Sequence, residues 1–123
     1  MRNFICYAMA LVSLMACHDD KPPRLLLSRY AFDFGEVAEG VIILDSFKVY
    51  NKGGGELYIR RVVGDCNCTT AAINKHVLPK GDSTTIHFKL DTKGKIGDVE
   101  QCVIIEANTD STIHYIMLRA NVI

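Results

Sequence analysis

Val41-Ile42-Ile43-Leu44-Asp45-Ser46-Phe47-Lys48-Val49-Tyr50, followed by Asn51-Lys52-Gly53-Gly54-Gly55, decides the fold class. Val41, Ile43, Phe47 and Val49 fall on one face of an extended chain, and Ser46, Lys48 and Tyr50 on the other. A period of two is that of a half-buried strand, not a helix. Three successive glycines lose too much freedom in any regular element, so the strand must end in a turn at Gly53-Gly54-Gly55.

The same reading extends outward. Upstream, Leu25-Leu26-Leu27 begins a first strand that ends at Ala31-Phe32-Asp33-Phe34-Gly35, and Glu39-Gly40 marks a turn. Downstream, Leu57 to Val63 forms the next strand, with Leu57 and Ile59 inward. Pro79-Lys80-Gly81-Asp82 turns the chain. Thr84 to Leu90 places Ile86, Phe88 and Leu90 inward, and Thr92 to Lys95 is a loop. Val99 to Ala107 points Val103 and Ile105 into the core, with Cys102 out of phase and directed outward or toward the second sheet edge. Asn108 to Ser111 is a hairpin turn, and Thr112 to Val122 closes the domain through Ile116, Leu118, Ala120 and Val122. Six or seven strands at short intervals, with no helical period after Cys17, predict an all-β antiparallel β-sandwich over residues 24–123. No Trp is present, which excludes the Cys-Trp-Cys framework of antibody domains.

The first 16 residues have a different character. Arg2 is followed by an apolar run, Phe4 to Met15, broken only by Ser13. It is shorter than the ~20 residues a membrane-spanning helix needs. Leu14-Met15-Ala16-Cys17 resembles a bacterial lipobox, so residues 1–16 read as a lipoprotein signal peptide and Cys17 as the site of lipidation. Residues 17–23 then form a polar tether ending in Pro22-Pro23, a stiff spacer. The Asp19-Asp20 pair resembles surface-export signals of Bacteroidetes lipoproteins and reads equally well as a solvated linker. The expected location is the cell envelope: an outer-membrane lipoprotein, periplasmic or surface-exposed, joined to the membrane through its lipid. Lys and Arg total 14 against 14 Asp and Glu, a balance that argues against nucleic acid as a partner.

Reactive side chains cluster once, at Gly64-Asp65-Cys66-Asn67-Cys68-Thr69-Thr70. Three readings of Cys66 and Cys68 stand side by side. A disulfide would close a very small ring, away from relaxed geometry and easily reduced. Two thiolates could hold a soft metal, but a tetrahedral site needs further ligands from His76, Cys102 or His114. Both could instead be small packing residues at a strand end. Cys102 is expected to pair with neither. No nucleophile elbow, His-x-x-x-His pair or phosphate loop appears, so no catalytic residue, cofactor or firm metal site is assigned.

In order along the chain, Asp33-Phe34-Gly35-Glu36-Val37, Glu39-Gly40, Phe47-x-Val49-x-Asn51-x-Gly53, Leu57-x-Ile59, Cys66-x-Cys68-Thr69, Pro79-x-Gly81, Gly97 and Ala107-Asn108 form a series. That series resembles the bacterial Ig-like family known as domain of unknown function 1573, common in Bacteroidetes lipoproteins. The resemblance covers Leu25 to Val122 and implies an Ig-like sandwich with no established activity. It implies structural roles for Asp33, beside the turn at Gly35, and for Asn51, at the strand end. The family usually carries Cys-Gly-Cys-Thr, and Asn67 takes the place of that glycine here. Asn tolerates left-handed backbone angles, which would preserve the turn. The expectation is therefore a lipid-anchored, non-enzymatic module making protein or glycan contacts in the envelope, with exposed edge strands as its contact surface. The alternative is a thiol–disulfide or soft-metal domain built on Cys66 and Cys68.

Overall fold

Alternating side chains commit a strand to burying one face, and in this chain two such layers bury each other. The computed structural model describes residues 21–123. The signal peptide, Cys17 and the first part of the tether lie outside the described residues. Nine strands follow: β1 (Leu25–Leu27), β2 (Ala31–Val37), β3 (Ile42–Asn51), β4 (Leu57–Gly64), β5 (Thr69–Ile73), β6 (Val77–Leu78), β7 (Ser83–Asp91), β8 (Gly97–Ala107) and β9 (Ile113–Val122). One sheet has the order β1-β3-β7-β5 and the other β2-β9-β8-β4-β6. No helix occurs among the described residues.

The sandwich departs from the sequence expectation in three places. The expected first strand is two strands in different sheets. Ser28 donates its N–H to Lys48 O and accepts the Lys48 N–H on its Oγ, which ends the β1–β3 ladder. The chain then crosses over and resumes as β2. Because β2 keeps its heading, it lies parallel to β9, so the sheets are not antiparallel throughout. The short strands β5 and β6 were also unanticipated, which brings the count to nine. Val41, expected inward, precedes β3 and is exposed.

The core is made of the anticipated alternating residues. Phe47, Val49, Ile86, Phe88 and Leu90 from one sheet meet Ile59, Val103, Ile105, Ile116 and Leu118 from the other. Phe32 packs edge-on to Phe88, with ring centroids 5.0 Å apart, and stacks on Phe34 at 5.8 Å. Burying each of these large side chains contributes about 1.5–3 kcal/mol.

The register defines two poles. Leu25 opposes Asn51 and Tyr50 opposes Ser83, so the Gly53–Gly55 turn, the Pro79–Asp82 turn and the start of β1 share one end. Ile42 opposes Asp91 and Gly97 opposes Val122 at the other end. We call these the arm pole and the sulfur pole.

Candidate functional site

Among the described residues, the sulfur pole carries the one reactive segment. β4 ends at Gly64 in one sheet and β5 begins at Thr69 in the other, so Asp65 to Cys68 must cross between layers within four residues. Three backbone bonds hold this crossing. Asp65 N–H donates to Cys102 O at 3.1 Å, Thr69 N–H to Cys66 O at 3.2 Å, and Asp91 N–H to Cys68 O at 2.8 Å. Gly64 packs so closely on Thr69 that a Cβ there would overlap the Thr69 carbonyl oxygen. Sequence reading assigned Gly64 no role; a glycine closing a strand just before Cys-x-Cys was the available signal.

Cys66 and Cys68 are joined by a disulfide, with Cα atoms 5.4 Å apart. Both sulfurs lie 3.7 Å from the hydroxyl of Thr69, which is buried. Cys68 packs against the core, and both cysteines are half-buried while Asn67 is exposed. No described residue other than glycine has a positive φ, so Asn67 does not adopt the left-handed conformation its position suggested. The bridge leaves neither sulfur as a thiolate to hold a metal. His76 bonds Ile59 O at 2.8 Å and His114 contacts Thr109 at 2.8 Å, both toward the arm pole. Cys102 alone neighbours the loop. It is a free thiol on the outward side of β8, with Sγ 3.4 Å from Met117 Sδ. Burial first, and the nearby Asp65 carboxylate second, push that thiol above its ordinary range and leave it a poor nucleophile at neutral pH.

The same pole exposes several large apolar side chains. Thr92, expected only as a loop residue, is fully buried and donates its hydroxyl to Val41 O at 2.6 Å. Its own N–H also reaches Val41 O. Gly94 N–H bonds Glu39 Oε1, and Glu39 N–H bonds Ile123 O. These bonds draw the 38–41 and 92–96 loops and the end of β9 together. Projecting from them are Val41, Ile42, Leu44 (72% exposed), Ile96 (77%) and Ile123 (66%). A shallow depression of about 260 Å³, lined by Leu44, Thr70, Ala72 and Lys89, continues this surface onto the face of the β1-β3-β7-β5 sheet.

The remaining motif residues are placed elsewhere. Asp33 accepts the Gly35 N–H at 2.9 Å. Asn51 is fully buried, and its amide is used completely. Nδ2 donates to Gly55 O and Leu78 O, while Oδ1 accepts from Arg24 and Gly53. Asn108 clips the β8–β9 hairpin to the start of β4 through Tyr58 N–H at 2.7 Å and Glu56 O at 3.1 Å. Asp82 N–H closes the turn onto Pro79 O at 3.0 Å, and Gly81, at φ 82°, has the left-handed backbone that favours glycine.

Nine strands in two layers, with the first strand split between sheets, define an Ig-like and PapD-like β-sandwich. Solved structures share it. A protein of unknown function from Porphyromonas gingivalis W83 superposes with TM-score 0.72 at 18% identity, over 87% of this chain and 50% of its own. The ASH / PapD-like domain of human CEP192 (PapD-like domain 7) gives 0.61 at 10%, over 83% and 87%. The secreted serine protease VesC from Vibrio cholerae gives 0.61 at 16%, over 82% of this chain and 23% of its own. At these identities the likeness is one of fold. The present chain spans half the length of the Porphyromonas protein. No curated protein matches. Within the fold class, the chain belongs to the family described as protein of unknown function (DUF1573), whose model matches residues 25–122.

Proposed function

We propose that this domain is a lipid-anchored extracytoplasmic module that acts by contact, binding another envelope protein or a glycan through its sulfur pole. The observation carrying this reading is the exposure of Val41, Ile42, Leu44, Ile96 and Ile123 at this one pole. Apolar side chains grouped in this way on a small domain mark an interaction surface. The sheet edges are poorer candidates. Among the edge strands, β1 and β6 are only three and two residues long, and Asp33 caps the Gly35 N–H on β2. Charged groups on edge strands discourage the addition of a further strand. Contact through side chains is therefore favoured over β-augmentation.

The test is a cross-linked pull-down from membranes with the native protein and with the Leu44→Asp/Ile96→Asp variant. A partner recovered with the first and lost with the second, at unchanged melting temperature, supports the reading. Equal recovery with both, or no reproducible partner, sinks it.

A second reading rests on the bridged Cys66–Cys68 pair. A small-molecule dithiol would reduce it through a mixed disulfide, becoming a cyclic disulfide itself and leaving two protein thiols. Thiol counting on the native domain before and after a partner is added separates the two readings. Contact alone leaves the count unchanged, whereas exchange changes it.

A further inference from the structure

The run Gly53-Gly54-Gly55 does more than turn the chain. None of the three has a positive φ, so left-handed backbone is not the reason for glycine here. The reason is space. A Cβ on Gly53 would overlap the Arg24 nitrogen and Pro22 oxygen. A Cβ on Gly54 would lie 2.5 Å from Lys21 Cβ, and one on Gly55 2.6 Å from Lys21 O. The segment Lys21 to Arg24 thus lies in a trough that any side chain would fill. Hydrogen bonds fasten it. Gly54 and Gly55 N–H both reach Pro22 O, at 3.2 and 3.4 Å, Lys52 N–H donates to Arg24 O at 2.8 Å, and Arg24 N–H donates to the buried Asn51 amide. Pro22 and Pro23 stiffen what is seated.

We infer that this glycine trough is a seat for the N-terminal arm that sets how the domain stands on the membrane, with the arm pole toward the lipid and the sulfur pole away from it. The inference rests on the anchor at Cys17. From Cys17 to the seated Lys21 the chain reaches at most ~14 Å even when fully extended. The ten residues of β9 that run from pole to pole span ~33 Å. A tether this short cannot let the sandwich turn over freely, so the disulfide loop and its apolar surroundings are offered outward to a partner.

The experiment uses the full lipidated protein in phosphatidylcholine vesicles containing a dansyl-headgroup lipid. The chain has no Trp, so a single Trp can be placed at either pole. Energy transfer from Asp110→Trp at the arm pole is expected to be several-fold stronger than from Ile96→Trp at the sulfur pole. Inserting a Gly-Ser octapeptide between Asp20 and Lys21 leaves the seat intact and should erase most of that contrast. Gly53→Ala, which lifts the arm, should reduce it. Equal transfer from the two positions in lipid-bearing protein overturns the orientation while leaving the anchor standing. Absence of lipid on Cys17 by mass overturns the anchor, and the orientation with it.

Discussion

The two poles of this sandwich are secured by different chemistry. At the arm pole, one buried amide and three side-chain-free residues let four separate segments close on each other by hydrogen bonding: the arm, the glycine turn, the end of β3 and β6. At the sulfur pole, a covalent bridge joins the buried Thr69 and Thr92 hydroxyls and a set of backbone bonds in holding the crossing loops. Both poles use hydrogen bonds, and only the sulfur pole adds a covalent bridge. A pole stapled from within can leave its aliphatic side chains outside.

Breaking the arm pole should cost most. Asn51→Ala strands two N–H and two C=O groups in a buried to half-buried setting, and at roughly 1 kcal/mol for each it should destabilise by about 3–4 kcal/mol. The shift of the urea midpoint at constant slope measures it, and a loss below about 1 kcal/mol would remove Asn51 from the centre of that pole. Opening the other pole should cost less. The ring closed by Cys66 and Cys68 is so small that Cys66→Ser/Cys68→Ser should lose only about 1.5 kcal/mol in a chain-entropy account. Hydrogen exchange would then quicken at the Asp65, Thr69 and Asp91 amides and not at Lys52 or Gly54.

A milder change sharpens the contrast further. Thr92→Val keeps the volume and removes the hydroxyl bond to Val41 O. That carbonyl still accepts the Thr92 N–H, so about 1 kcal/mol is expected. The smallest effect concerns pH, and it belongs to the arm pole. Burial holds His114 below its ordinary value of 6.5. Above that value both folded and unfolded states are neutral and nothing is lost. As pH falls below it, the unfolded chain takes a proton first, so stability declines until the folded imidazole is protonated as well. At lower pH Asp82 acts in the same sense. Its carboxyl is held below 3.8 by Lys75 and by the Ser83 N–H, and the stability it supplies above that value disappears as pH falls through its folded pKa. Melting temperature followed from pH 7 to pH 5 should decline slightly in the native protein and stay flatter in His114→Gln. A native profile with no decline would refute the assignment to His114.

Long strands were legible because each repeats its alternation often enough to outweigh noise: β3, β7, β8 and β9 show their buried residues plainly. β5 and β6 were not, since five and two residues cannot display a period. The split between β1 and β2 turns on a single serine bonding Lys48, which no local pattern announces. Gly53 to Gly55 announce a turn, and they form one. Their need for empty space arises from Lys21 to Arg24, some thirty positions away in sequence. Thr92 looked like any loop threonine because its partner, the Val41 carbonyl, comes from the far side of the chain. The spacing of Cys66 and Cys68 left bridge, metal and packing open, because two residues of separation permit all three.

The parallel pairing of β2 with β9 has a mechanical consequence. Tension applied between the start of β2 and the end of β9 would pull these two neighbours in opposite directions along their length. All of the hydrogen bonds between them would then be loaded together, in shear, where a hairpin would open one bond at a time. A domain wired this way resists stretching along its long axis far better than peeling from its side.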